Sequence, residues 1–460
     1  MELAGFASRQ EEFNIYQDVI TQFPFLNGYT HLLRVFETPR ATSRESIVTA
    51  IQAAFDELRS KIPWLGDQVV TVDAGPGSTG HTKSIPWPDS AQPHNVVRVD
   101  HDAVLPLLRS ILSSGSLPPT HLFVPCPGLP HPHGLSPAPV LILSAVFIDG
   151  GVMVIISAHH NMIDGPGIMQ LFDHLATLMN GGNLSDEAVQ IANADRSRVI
   201  PLLRPSEPVK DYSHLLRPDP WPLGPPPPTV WRGFLVSRSA LAKIKRRAST
   251  STKTKAAFVS SDDALSAFCW QRLCTARLRS GRLRADQVSK FGRAVNGRRS
   301  VGLTDAYLGH MILHAVTRLS IRDVVQTPLA ELAQTLRRDL DEARTEWSVR
   351  SCATFMAGFP DKTKLMYGGL FNPETDIGGT SLLAWGLKRE PFRMGVLGES
   401  KMFRKPDGPS IPGCMYFFPS DNGGGDVQVV LCMPPEDLNS LERDVEWSRY
   451  VKRISLPSRL

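Results

Sequence analysis

The sequence lacks any apolar run long enough to cross a membrane. A transmembrane helix needs about 20 consecutive apolar residues, whereas the longest run here, Val140 to Ile148, is only as long as a strand. The first residues, MELAGFASRQEEF, also lack the basic and then apolar pattern of a secretory signal. We therefore expect a soluble, cytoplasmic protein without a membrane span.

Cysteine pairs at metal-binding spacing are absent as well. The 6 cysteines form no C-x-x-C pair, so we expect buried free thiols, as is usual in a reducing compartment. His160 and Asp164 are four residues apart, but no third ligand is near them, and the Gly-Pro-Gly that follows favours a turn. The sequence therefore predicts no metal site.

Neither sign of charge dominates the chain. Lys and Arg number 50 against 45 Asp and Glu, and the two signs are interleaved. The densest basic stretches, Lys243 to Arg247 and Arg277 to Arg284, are short and contain no aromatic residues. This pattern predicts no nucleic-acid partner. The small basic excess fits an enzyme with an anionic substrate.

The 460 residues leave room for about two or three domains. The proline-rich stretch from Pro205 to Pro228 must run as extended, semi-rigid chain. It predicts an N-terminal domain at 1–200, a crossover at 201–232 and a C-terminal domain at 233–460. Helical and strand patterns do not alternate strictly, so we expect a mixed α/β protein with α+β layers.

Two hairpins are predicted from β-rich segments that flank turn residues. Val140 to Phe147 and Val152 to Ser157 flank an Asp-Gly centre, and Ile411 to Phe418 and Val427 to Met433 flank a glycine-rich turn.

Helices are predicted from apolar residues at i, i+3 and i+4 spacing. One follows Ser43, one follows the Asp-Gly-Pro-Gly segment that begins at Asp164, and one runs through Trp270 to Arg277. Ser261 or Asp262 is expected to be the N-cap of the third.

The stretch from Ser157 to Gly165 is the most informative for chemistry. His160 follows a buried strand and precedes a glycine-rich turn, and an imidazole there can act as a general base near neutral pH. Asp164 could orient the ring or hold the loop through an ion pair. The alternative is that His159 and His160 are ordinary turn histidines with satisfied hydrogen bonds.

The doubled His, the Asp and the following Gly resemble the HHxxxDG motif of the BAHD acyltransferases, which transfer acyl groups from coenzyme A to alcohols or amines. Further segments resemble that family's landmarks in the same order: Ile62 to Gly66, Ser260 to Trp270, Ala294 to Arg299, and Tyr307 to His310. Together they span most of the chain. The sequence AVNGRR and the overall length resemble the fungal branch that includes trichothecene O-acetyltransferases.

The resemblance implies a two-domain, chloramphenicol acetyltransferase-like fold with a channel between the domains. It implies that His160 is the general base and that Asp164 pairs with Arg298 in a structural role. Thr380 or Ser381 matches the donor to the oxyanion, although their Gly-Gly-Thr-Ser segment could equally be a simple turn.

The resemblance also implies acyl-coenzyme A as co-substrate, with no permanently bound cofactor, and a monomeric enzyme. The residues implied to contact coenzyme A are Lys253, Lys255, Ser260, Ser261 and Asp263. Two positions depart from the family pattern. Arg393 to Gly398 stands where the family has DFGWG, and His310 stands where it has Asn.

The function implied is transfer of an acyl group, in the first place acetyl, from acyl-coenzyme A to a hydroxyl of a hydrophobic small molecule, a fungal secondary metabolite. One alternative is a stand-alone condensation-type domain that takes acyl chains from carrier proteins. Another is a family member repurposed away from acyl transfer, which the altered Arg393 loop would suit.

Overall fold

A computed structural model describes residues 15, 17–38, 42–88, 96–100, 108–114, 117, 120–126, 128–129, 138–250, 258–386, 391–406, 410–420 and 425–454. The strands are β1 Tyr29–Glu37, β2 Gln68–Val72, β3 His81–Ile85, β4 Val97–Asp100, β5 Ala138–Pro139, β6 Leu141–Ile148, β7 Gly151–His159, β8 Val230–Val236, β9 Val288–Asn296, β10 Ile312–Ser320, β11 Ile377–Ser381, β12 Ser400–Arg404, β13 Cys414–Pro419, β14 Val427–Met433 and β15 Val451–Arg453. The α-helices are α1 Arg44–Lys61, α2 Leu108–Ser114, α3 Gly165–Met179, α4 Asp186–Ala192, α5 Arg238–Ser249, α6 Ser261–Arg279, α7 Ile321–Gln326, α8 Leu329–Ala343, α9 Glu346–Ala357, α10 Leu383–Gly386, α11 Pro435–Glu442 and α12 Val445–Tyr450.

The first sheet has the order β12-β1-β7-β6-β4, and a three-stranded sheet, β3-β2-β5, accompanies it. Strands β6 and β7 form the predicted hairpin, with Ile148 opposite Gly151 and Gly150 at φ 81° in the turn. Every residue of β7 is buried, and α1 and α3 contribute to the same apolar core. Strand β12 comes from the second half of the chain and pairs antiparallel with β1.

The second sheet has the order β10-β9-β11-β13-β14-β8-β15. Strands β13 and β14 form the second predicted hairpin. Helices α5, α6 and α8 pack into a second core with residues of this sheet. The mixed α/β architecture expected from the sequence is therefore confirmed.

The helix starts follow from capping. Helix α1 follows Ser43 as expected, and Ser43 is its N-cap, since its side chain accepts a hydrogen bond from the amide of Ser46. The N-cap expected for α6 was wrong by one residue, because Ser260 is the cap. Its hydroxyl accepts from the amide of Asp263, and the Asp263 carboxylate accepts from the amide of Ser260. This reciprocal capping box satisfies two helix-end donors.

Three further expectations concern cysteines, membrane spans and metals. All 6 cysteines carry free thiols, and all except Cys414 are buried, as expected. No helix in the described part of the chain is long and apolar enough to cross a membrane. In those same residues no group of three or more His, Cys, Asp or Glu side chains is placed to hold a metal ion.

Candidate active site

His160 lies directly beyond the buried end of β7. The strand is paired with β1 on one side and β6 on the other, and the amide of His160 donates to the carbonyl of Gly28 at 2.8 Å. The side chain is half-buried. A central strand of a sheet therefore presents this imidazole from a rigid position.

The hydrogen bond of the His160 ring determines which nitrogen is basic. Nδ1 lies 3.1 Å from the carbonyl oxygen of Ile163. A carbonyl can only accept, so Nδ1 carries the hydrogen and the lone pair of the neutral ring is on Nε2. Burial lowers the pKa of His160 below its ordinary value. The ring is therefore neutral at neutral pH, as a general base must be.

His159 has a different environment. It is buried, its Nε2 lies 3.2 Å from Asn27 Oδ1, and its ring packs edge-on against Tyr29 with the centroids 5.4 Å apart. Burial lowers the pKa of His159 to about 3. The adjacent histidine is therefore part of the core packing.

Asp164 is the N-cap of α3 and is completely buried. Its Oδ1 accepts from the amide of Gly167 at 2.8 Å and its Oδ2 from the amide of Met311 at 2.8 Å. Arg298 donates to both oxygens, from Nη2 to Oδ1 at 2.7 Å and from Nη1 to Oδ2 at 2.9 Å. The expected contact between Asp164 and Arg298 is therefore confirmed, while the role of the pair stays a prediction.

No hydrogen bond joins the Asp164 carboxylate to the His160 ring within the described residues, so the two side chains do not form a dyad. Burial alone would raise the pKa of Asp164, but the charge and hydrogen bonds of Arg298 outweigh it and hold the pKa below its ordinary value. The carboxylate stays ionised as the counter-charge of a buried guanidinium.

Arg298 joins the loop of residues 160–164 to the segment that follows β9. Its Nε donates to the carbonyl of Tyr307 at 2.7 Å and its Nη2 to that of Gly309 at 2.6 Å. Ile163 forms an isolated antiparallel bridge with Gly309. One side chain thus connects elements of the two halves of the chain at the candidate base.

Two residues near the base were not assigned a role from the sequence. His310 lies beside His160, with the ring centroids 4.9 Å apart. Arg196 Nη1 donates to the carbonyl of Met162 at 3.0 Å. The departure of His310 from the family's Asn was a signal that could have indicated a role, whereas Arg196 had no signal in the sequence.

Thr380 and Ser381 lie in a strand, so the simple-turn alternative was wrong. Strand β11 runs parallel to β13, with Thr380 opposite Tyr416, and both candidate donors are half-buried. The strand ends near the start of α3, since a Cβ built on Gly165 would lie 3.7 Å from Leu382 Cδ2. The structure thus brings the end of β11 close to the helix that Asp164 caps.

The structure describes three of the five residues that the resemblance implies to contact coenzyme A. Lys253 and Lys255 lie outside the described residues. Ser260 and Ser261 are half-buried at the N-terminus of α6. Asp263 is buried and accepts from Arg293 Nη1 at 2.6 Å as well as from the helix cap, so its carboxylate stabilises the helix start. A contact between these residues and coenzyme A stays a prediction.

The segment from Arg393 to Gly398 is anchored at the end of α3. Asn180 Nδ2 donates to the carbonyl of Arg393 at 3.0 Å, and Asn180 Oδ1 accepts from the amide of Gly395 at 2.9 Å. Gly395 has φ +49°, and a Cβ there would lie 2.6 Å from the carbonyl oxygen of Met179. This departure from DFGWG therefore still forms an ordered turn that packs on the first core.

Comparisons with known proteins identify the family to which the chain is similar. A family model described as Transferase family matches residues 133–448, and one described as Trichothecene 3-O-acetyltransferase-like N-terminal domain matches residues 29–178. The O-acetyltransferase SAT5 of Stachybotrys chartarum is 53% identical over 98% of this chain and 98% of its own length. The O-acyltransferase pigD of Monascus ruber is 37% identical, over 95% of this chain and 98% of its own length.

A solved structure of TRI101 from F. sporotrichioides, complexed with coenzyme A and T-2, superimposes with a TM-score of 0.86 at 27% identity. The superposition covers 95% of this chain and 99% of that one.

Proposed function

Because this chain belongs to the Transferase family, with an N-terminal part of the trichothecene 3-O-acetyltransferase-like type, we propose that it is an acyl-coenzyme A-dependent O-acyltransferase. It moves an acetyl group to a hydroxyl of a hydrophobic small molecule, a fungal secondary metabolite. The observation that carries the proposal is the neutral ring of His160, whose Nδ1–H is held on the carbonyl of Ile163 so that Nε2 is the basic nitrogen.

The reaction needs a positioned base and a donor to the developing oxyanion. The acceptor hydroxyl gives its proton to His160 Nε2 as its oxygen attacks the thioester carbonyl. Thr380 or Ser381 donates a hydrogen bond to the oxyanion of the tetrahedral intermediate. The intermediate then expels the thiolate of coenzyme A, which takes the proton back from His160. The products are an ester and free coenzyme A, without a covalent enzyme intermediate.

The remaining residues hold the site and the co-substrate. Asp164 and Arg298 keep the loop that carries His160 in place. Ser260 and Ser261, at a helix N-terminus, are suited to the phosphates of coenzyme A together with the cations Lys253 and Lys255.

The alternative functions are not favoured. The relatives that match this chain over nearly its whole length are named O-acetyltransferase or O-acyltransferase, and TRI101 is solved with coenzyme A. A carrier-dependent condensation domain shares the fold but has no such support.

We also propose that the enzyme is a cytoplasmic monomer with domains at 1–200 and 233–460, the second of which contributes β12 to the first sheet. The free cysteines are typical of a reducing compartment, and the proline-rich crossover supports the boundary. Light scattering after gel filtration tests the monomer, because a mass above 50.7 kDa in solution would contradict it.

Incubation with acetyl-coenzyme A and a panel of hydroxyl-bearing fungal metabolites tests the function. We expect release of free thiol that depends on the alcohol, and an acetylated product detected by mass spectrometry. His160→Ala is the matched inactive control. Thiol release that does not depend on the alcohol, or that persists in His160→Ala, would contradict the proposal.

A further inference from the structure

His310 contacts the candidate base at its backbone. It is completely buried, and its Nδ1 lies 2.9 Å from the carbonyl oxygen of His160. On the other side of the ring, Nε2 lies 3.1 Å from the hydroxyl of Tyr367. From these contacts we infer that His310 is a positioning residue for His160, holding the carbonyl from which the loop of residues 160–164 departs.

The two contacts of the His310 ring define its hydrogen placement. The carbonyl of His160 can only accept, so Nδ1 of His310 carries the hydrogen. Nε2 of the neutral ring then accepts from the hydroxyl of Tyr367. Burial lowers the pKa of His310 to about 3, which keeps the ring neutral at physiological pH. Both nitrogens are therefore satisfied in one tautomer, and the donor to His160 is always present.

The backbone of the same residue holds a second point of the loop. The amide of His310 donates to the carbonyl of Met162 at 3.2 Å, while the ring of His160 is bonded to the next carbonyl, that of Ile163. Together with the bond from Arg196 to the Met162 carbonyl, four hydrogen bonds thus fix the carbonyls of residues 160, 162 and 163. Two come from His310 and one from the base itself.

The consequence concerns the tautomer of the base. Without the donor from His310, the His160 peptide can rotate, and the ring can lose its bond to the Ile163 carbonyl. Nε2 would then no longer be the only basic nitrogen. Because small displacements of a catalytic group reduce rates strongly, loss of this donor should reduce kcat by about 10-fold or more.

Three variants separate this role from a general effect on folding. His310→Leu removes the donor at nearly the same volume, and His310→Asn retains an N–H at a similar distance from Cα. The matched control is His314→Leu, because His314 packs on Tyr367 with the ring centroids 4.5 Å apart. No hydrogen bond joins His314 to the loop of residues 160–164 among the described contacts.

We use two readouts, because the inference has a kinetic and a structural consequence. Only the kinetic consequence rests on the proposed function. The first is kcat, together with KM for acetyl-coenzyme A. The second is the tautomer of His160, read by long-range ¹⁵N–¹H NMR of histidine-labelled protein and assigned with His160→Ala. The NMR readout requires no turnover, so it tests the inference even if no acceptor is acetylated by the wild type, an outcome that would count against the proposed function alone.

In the wild type we expect His160 as the neutral tautomer with hydrogen on Nδ1. His310→Leu should show a mixture of tautomers and a kcat lower by about 10-fold or more, with KM for acetyl-coenzyme A nearly unchanged. His310→Asn should restore both readouts, and His314→Leu should resemble the wild type.

An unchanged His160 tautomer in His310→Leu, or an equal loss of kcat in the Leu and Asn variants, would overturn the inference. If the Leu variant does not fold, His310→Ala replaces it and is judged by the same two readouts.

Discussion

Replacement of Asp164 by Asn tests whether the buried ion pair stabilises the fold. Asp and Asn are nearly isosteric, and both are good N-caps, so the bond from the Gly167 amide to the cap of α3 is retained. What changes is the charge. The amide NH2 group of Asn takes the place of Asp164 Oδ2. It is a donor, and it would face two other donors, Arg298 Nη1 and the amide of Met311.

The magnitude follows from the burial of both partners. Asp164 and Arg298 have side-chain exposures of 0% and 0%, so water cannot replace the missing counter-charge. Breaking such a pair from one side costs about 3–5 kcal/mol, a large part of a typical free energy of unfolding of about 5–15 kcal/mol. We therefore expect Asp164→Asn to lose most of its stability margin and to lose activity at the same time.

The assay is urea unfolding at pH 7, with Asp56→Asn as a matched control. Asp56 pairs with Arg59 on the surface of α1, and exposed pairs contribute only about 0–1 kcal/mol. The combination of Asp164→Asn with Arg298→Met removes both charges. It should therefore destabilise the protein by less than the sum of the two single substitutions.

The loss of stability caused by Asp164→Asn should change with pH in a defined direction. The folded pKa of Asp164 lies below its ordinary value of 3.8, so its ionisation stabilises the fold above that value and ceases to do so as the pH falls through the folded pKa. The deficit of Asp164→Asn should thus be complete at pH 7 and shrink below about pH 4. A cost within about 1 kcal/mol of the control, or strict additivity in the double variant, would refute the reasoning.

Three further predictions concern the reaction itself. His160→Ala should lower kcat by about 100-fold or more with little change in the urea midpoint, whereas His159→Ala should affect kcat much less; equal losses of kcat would refute the assignment of the base. Because burial lowers the pKa of His160, kcat/KM should stay level down to a pH below about 6.5 and fall only as the ring is protonated, so a fall that begins above pH 7 would contradict this. Comparison of Thr380→Val with Ser381→Ala should identify the oxyanion donor. The variant that lacks the donor should lose kcat by about 100-fold with little change in KM for acetyl-coenzyme A. Full activity in both variants would exclude both residues.

Local sequence was sufficient for the secondary elements near the site. The Asp149-Gly150 centre between two β-rich runs predicted the β6–β7 hairpin, because a tight turn needs a residue that tolerates positive φ and Gly150 has φ 81°. Residues that favour helix caps placed the start of α1 correctly and that of α6 to within one residue. The HHxxxDG pattern, read as a family resemblance, placed His160 and led to the contact of Asp164 with Arg298.

Local sequence was not sufficient where side chains from distant segments meet. Thr380 and Ser381 looked equally like a turn, and their strand is defined by hydrogen bonds to β9 and β13, which local periodicity does not encode. The contact expected between Asp263 and coenzyme A stays a prediction, whereas only the structure shows that Arg293, 30 residues away, binds the Asp263 carboxylate. Strand β12, from the second half of the chain, completes the first sheet by pairing with β1.

The clearest case is the neighbour of the base. By itself the sequence determined that His160 follows a buried strand, because the apolar run and the turn are contiguous in the chain. Only the tertiary structure decided that His310, 150 residues further on, donates to the His160 carbonyl. The physical reason is that a buried carbonyl must find a donor, but which segment supplies it depends on how the sheets and loops pack, and sequence periodicity describes one element at a time.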